Sequence, residues 1–102
     1  MNFDRASRAQ LTLHVRTSFD PTGSEVELAV DGTWYPATWQ GLPIKNPAGT
    51  EWTQSAVTVG YFAGPAGGGG ATTLDPGRHT TRTRVTTGTQ VIVADSSVID
   101  VD

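Results

Sequence analysis

Three observations predict an all-β fold, an antiparallel sandwich of six to seven short strands. Apolar and polar residues alternate in several short runs, the period of a half-buried strand. Turn-forming groups punctuate those runs: Asp31-Gly32, Asp75-Pro76-Gly77 and Thr87-Gly88-Thr89. No stretch carries apolar residues at i, i+3, i+4 and i+7 over three turns, so no helix is required.

The last third of the chain, from Leu74 to Val101, is the most structured stretch. Asp75-Pro76-Gly77 has type II turn chemistry, with Pro presetting φ and Gly accepting φ > 0. A run rich in Thr and Val follows from Arg78 to Thr87. Thr87-Gly88-Thr89 reverses the chain into Gln90 to Ala94, and the two runs read as a hairpin. Ile99 and Val101 keep the odd parity of Val91 and Val93. Asp95, Ser96 and Ser97 interrupt the apolar pattern, which predicts a bulge or bend.

Upstream, residues 1–9 are polar, show no strong period and are expected as an N-terminal arm preceding a domain of residues 10–102. From Gln10 to Thr17, Leu11, Leu13 and Val15 share one face and Thr12, His14 and Arg16 the other. Residues 20–23 (Asp-Pro-Thr-Gly) break that strand. From Glu25 to Val30, Val26, Leu28 and Val30 point inward and Glu25, Glu27 and Ala29 outward. Asp31-Gly32 then predicts a type I′ hairpin, because both central residues need φ > 0.

The return strand, Thr33 to Gln40, holds Trp34, Tyr35 and Trp39. Pro36 inside it predicts a sheet edge, since proline cannot donate to a ladder. Residues 41–50, with Pro43, Pro47 and Gly49, read as a loop pinned by Leu42 and Ile44. A further β run covers residues 51–63, with Val57, Val59 and Tyr61 on one face and Ala56, Thr58 and Gly60 on the other. Gly64-Pro65 ends it, and Gly67 to Gly70 form a flexible loop. In about 100 residues this pattern fits a sandwich of the immunoglobulin kind or a small barrel. Pairing the 25–30 strand with the 78–87 strand would set Glu25 and Glu27 opposite Arg82 and Arg84.

Composition narrows the function classes. The 102 residues make one domain, with 36% hydrophobic and 17% charged residues. Disorder would pair that low hydrophobicity with high charge, so a thin two-layer β domain is the better fit. A net charge of −3 argues against a free nucleic-acid binder, whose affinity rests on basic groups. With no cysteine, thiolate sites, disulfides and Cys nucleophiles are excluded. No apolar run is long enough for a membrane helix, and MNFDRASRAQ lacks the apolar region of a secretory signal.

No reactive constellation emerges, so no enzyme, cofactor or metal is expected. His79 points inward beside Thr81, Thr83 and Val85, which suits a hydrogen-bonded core histidine, and His14 lies on a polar face. No G-x-S-x-G elbow accompanies the many hydroxyls, and no Lys-Ser/Thr follows the glycine run. Asp95, Asp100 and Asp102 lack the D-x-D-x-D-G spacing of a calcium loop and instead suit the blunting of a strand edge. The aromatics are the ambiguous group. Alternation sets Trp34 on the face opposite Tyr35 and Trp39, so the return strand should expose an aromatic on one side.

Several stretches together resemble a family: residues 26–30 (VELAV), 34–39 (WYPATW), 74–79 (LDPGRH), Arg84-Val85-Thr86 and Ala94-Asp95. They are similar to small immunoglobulin-like virion structural proteins of tailed phages infecting actinobacteria. The similarity runs from Leu11 onward, and a single lysine, Lys45, against several arginines is compatible with such a genome. The 74–79 stretch also looks like the entry to strand F of immunoglobulin-type domains, with His79 where a Tyr usually stands and Thr81 where antibody domains carry a Cys.

The resemblance implies a non-enzymatic component of the particle, assembled in the host cytoplasm. It would dock in multiple copies on capsid, portal or neck, or tail proteins, as a decoration, minor capsid or head–tail protein. Neither nucleic acid nor membrane is an expected partner. Trp34, Tyr35 and Trp39 on the return strand, with Phe3 and Arg5 on the arm, are the candidate interface residues. The alternative is a carbohydrate- or cell-surface-binding module, with Trp34 or Trp39 stacking on sugar rings.

Overall fold

The computed structural model describes residues 2–68 and 71–102, and for residues 94–97 the backbone alone. Met1 of the expected arm and Gly69 and Gly70 of the glycine run lie outside the described residues. The chain is all-β and sandwich-like, with no helix among the described residues. The described residues form ten strands: β1 (Asn2–Phe3), β2 (Arg8–Ala9), β3 (Thr12–Thr17), β4 (Glu25–Val30), β5 (Thr33–Lys45), β6 (Trp52–Thr58), β7 (Phe62–Ala63), β8 (Thr72–Thr73), β9 (Gly77–Thr87) and β10 (Gln90–Val101). Seven form the main sheet, in the order β1-β10-β9-β4-β5-β6-β3. A small sheet, β2-β7-β8, brings Phe62 against Val30, Ile99 and Val101 of the main one.

The turn chemistry acts where the sequence puts it. Asp31 and Gly32 take φ of 51° and 85° and join β4 to β5, with Val30 opposite Thr33. Gly88 takes φ 58° at the first central position of the β9–β10 turn, and Thr87 pairs with Gln90. The expected bulge is present: Ala94 faces Thr83 but Ser97 faces Thr81, so β10 carries one residue more than β9 over that step. One extra residue reverses the alternation. Ile99 and Val101 are therefore buried while Val91 and Val93 are exposed, which corrects the expectation of a shared parity.

Proline's effect is local, and this corrects the edge assignment. β5 lies inside the sheet between β4 and β6. Pro36 pairs with Glu27 on the β4 side, and its carbonyl accepts the Val59 N–H on the other. It precedes the first β5–β6 pair, Ala37 with Thr58, so the missing N–H falls where that ladder ends. β5 also continues to Lys45 through an irregularity between Gln40 and Ile44, so part of the expected 41–50 loop is strand. Leu42 and Ile44 pin nothing: they are 86% and 72% exposed.

The inward face of β6 is Gln54, Ala56 and Thr58, while Val59 and Tyr61 face solvent. Two of the inward polar atoms are tied to backbone, while Gln54 Oε1 is buried without a hydrogen-bond partner among the described residues. Thr58 Oγ1 accepts the Leu11 N–H and donates to the Gly60 carbonyl, and Gln54 Nε2 donates to the Gly41 carbonyl. Ala56 leaves room opposite the bulky Trp39.

Two apolar clusters fill the interior. One joins Phe3, Val30, Ile99 and Val101 of the main sheet to Leu11, Phe62 and Leu74, with Tyr35 edge-on to Phe62 at 4.9 Å between ring centres. The other joins Val15, Val26, Leu28, Ala56 and Val85, flanked by Leu13, Phe19, Ala37 and Trp39.

Of the expected arm, residues 2–9 do not project from the body. β1 pairs in parallel with the end of β10, β2 pairs with β7, and Phe3 is only 4% exposed. Between them, the Arg5 and Ser7 carbonyls accept from Ala66 and Gly64. A Cβ at Gly64 would stand 2.4 Å from the Arg5 oxygen, so the close approach requires glycine there.

Candidate functional site

The five candidate interface residues fall into different environments. Phe3 is core, so its expected interface role is corrected: within this chain it has no surface to offer. Arg5 has an exposed side chain on a backbone held against Gly64. Tyr35 packs on the first cluster, and Trp39 on the second, where its Nε1 donates to the Ser24 carbonyl at 2.8 Å. Trp34 alone of the three return-strand aromatics lies on the outer face, half-buried, with the Arg84 guanidinium 4.1 Å from its ring centre.

The outer face around Trp34 follows from the register. Pro36, Glu27, Arg84 and Val93 stand in one row across β5, β4, β9 and β10. Thr38, Glu25, Thr86 and Val91 stand in the next. Arg84 Nη2 bridges Glu27 Oε1 at 2.9 Å. Only this half of the expected charge pairing forms: Glu25 faces Thr86 and Arg82 faces Ala29. Ala29, expected outward, is fully covered, because it sits between Trp34 and Arg82. An open groove of about 520 Å³ runs along β4 and β5, lined in part by Glu25, Glu27, Pro36 and Thr38. Sequence alternation identified Trp34 but not Val91 and Val93; the only warning was the Asp95-Ser96-Ser97 break.

His79 forms the main polar cluster of the interior. Its Nδ1 donates to Asp31 Oδ2 at 2.5 Å and its Nε2 to the Asp75 carbonyl at 2.6 Å. Both ring nitrogens face acceptors, which only the imidazolium can satisfy. The hydrogen bond to Asp31 raises the His79 pKa, helped by the Asp75 carbonyl and opposed by desolvation. The same bond from His79 holds the Asp31 carboxyl below the ordinary carboxylate value. Asp31 Oδ1 also accepts the Thr80 N–H at 3.2 Å. The Asp31 side chain therefore clamps the β4–β5 turn to the start of β9.

His14 lies on the exposed side of β3, with Nδ1 3.1 Å from Ser55 Oγ. Asp100 is bridged by Arg78 at 3.3 Å, and the Asp95 side chain lies outside the described residues. Among the described residues, no group of His, Cys, Asp and Glu is placed to hold a metal ion. No described helix is long and apolar enough to cross a membrane. No family model matches the chain, and searches of curated proteins and of solved structures give no match.

Proposed function

We propose that the chain is a non-enzymatic structural component of a tailed-phage virion, a β-sandwich of the immunoglobulin kind that docks on capsid or head–tail proteins. The observation that carries this reading is the outer face of β5, β4, β9 and β10. It sets the half-buried Trp34 and the exposed Val91 and Val93 around an Arg84–Glu27 ion pair. An aromatic anchor with an arginine beside it, ringed by apolar and hydroxyl side chains, is the composition of protein-binding surfaces. The resemblance of residues 26–30, 34–39 and 74–79 to virion proteins supplies the kind of partner, and assembly then takes place in the host cytoplasm.

The test is the protein content of purified particles of the virus that encodes the chain. Mass spectrometry should find the wild-type chain in multiple copies. Trp34→Ala should deplete it from particles without lowering its level in the infected cell. Absence of the wild-type chain from particles rejects the reading.

A second reading, a carbohydrate-binding module, draws on the groove. Glu25, Glu27 and Thr38 offer hydrogen-bonding groups along the groove, Trp39 lines it, and the Trp34 ring lies beyond Glu27 across Arg84; sugars bind by stacking on such rings. One face of the Trp34 ring is already taken by Arg84. Oligosaccharide titrations that quench tryptophan fluorescence in the wild type but not in Trp34→Ala would favour it over virion docking.

A further inference from the structure

The open half of β10 has an edge that no strand covers among the described residues. β1 pairs only with Asp100 and Val101. Residues 90–93 pair with β9 on one side and have no backbone partner on the other among the described residues. Such an edge is a template for another strand. The opposite edge of the sheet, β3, carries Arg16 and His14 on its exposed side, a charge that discourages pairing. The stretch Gln90-Val91-Ile92-Val93-Ala94 has no charge and no proline.

The hairpin fixes which backbone groups point outward. Thr87 and Gln90 close the turn as a hydrogen-bonded pair, and the pattern alternates from there. Ile92 therefore bonds to Val85, while the N–H and C=O of Val91 and Val93 point away from β9. Turning a second copy about a twofold axis at Ile92 sets Val91 of each chain opposite Val93 of the other. That is the register in which those outward groups exchange both bonds. The exposed valines, 58% and 44% accessible, then cover one another on the outer face. No like charges meet along the seam, because the stretch carries none.

We propose that the chain forms a twofold dimer by antiparallel pairing of β10 with β10, centred on Ile92, which joins two main sheets into one continuous sheet. An isologous edge of this kind closes on itself and consumes the exposed strand in both copies. The occupant is a second copy, because the segment is its own complement in register, side chain and charge. The dimer does not depend on the identity of the other partners.

Sedimentation velocity of the full chain over a concentration series tests it. The wild type should show a monomer–dimer equilibrium. Val93→Pro removes only an outward N–H, so the internal ladder survives and association should weaken on the order of a hundredfold, each copy losing a bond. Val93→Lys leaves the backbone intact and should also favour monomer by placing a charge at the seam. It decides the question should the proline variant fail to fold by circular dichroism. Val59→Lys, another exposed apolar position, should leave the dimer unchanged. A wild type that stays monomeric throughout overturns the proposal. So does a dimer that persists in Val93→Lys, or one lost instead in Leu42→Ser.

Discussion

The two halves of the core are finished differently. The half built on Val30, Ile99 and Val101 is closed by β1 and the small sheet, and its turns are bolted by Asp31, His79 and the Gly64 contact. The half built on Val15, Val26 and Val85 is flanked by the partly buried Phe19 and Trp39. Beyond its strands lie the exposed Leu42 and Ile44 and the free edge of β10. A chain this short has too little apolar surface to wrap both halves equally. The closed half is covered on more sides, and Leu42, Ile44, Val91 and Val93 are left exposed at the other.

Removing one lid from each half gives the largest expected contrast. Phe62→Ala should cost about 4 kcal/mol in chemical denaturation, because the ring is fully buried. Phe19→Ala should cost about 2 kcal/mol or less, since that ring is only partly covered. Equal losses would contradict the asymmetry.

Gly64→Ala should cost about 2–3 kcal/mol by forcing residues 5–7 off the body. Gly60→Ala, where a Cβ meets nothing within 4 Å, is the matched control and should be near neutral. If the two variants melt together, the close approach is not needed.

The clamp adds a pH dependence confined to the closed half. The His79 pKa is raised in the folded state, so its contribution is complete below the unfolded value, about 6.5, and is lost as pH rises through the elevated one. Asp31 is lowered, so its contribution is present above about 3.8 and is lost as pH falls through the depressed value. The clamp is strongest between these limits. Wild-type melting temperature should fall as pH rises beyond 6.5, with early loss of amide protection at Thr80. His79→Gln should flatten that slope and cost about 1–3 kcal/mol at pH 6.

The smallest effect belongs to the protruding end. Leu42→Ser and Ile44→Thr should each change stability by no more than about 0.5 kcal/mol, because neither side chain is covered. A larger loss would mean that this hairpin packs on something in solution.

Legibility follows the same division. Local rules found β3, β4, the Asp31-Gly32 turn and the β9–β10 hairpin, because alternation and turn chemistry are properties of neighbouring residues. The same rules misplaced Pro36 and Leu42. A proline's cost depends on which partner its N–H would face, and exposure depends on what lies opposite. Of the candidate surface, Trp34 was visible from parity. Val91 and Val93 were not, because a single extra residue in β10 turns every side chain on one side of it to the other face. The docking of residues 5–7 left no trace except two glycines, whose meaning depends on a backbone nearly 60 positions away.

The sequence by itself determined that this chain makes strands, where most of them turn, and that His79 is a buried polar residue. Period and φ preference act within a few bonds and need no distant partner. The tertiary structure alone decided which edge stays open, which valines face water and that Asp31 meets His79. Those outcomes depend on register between strands far apart in the chain, and register is set only when the whole sheet is assembled.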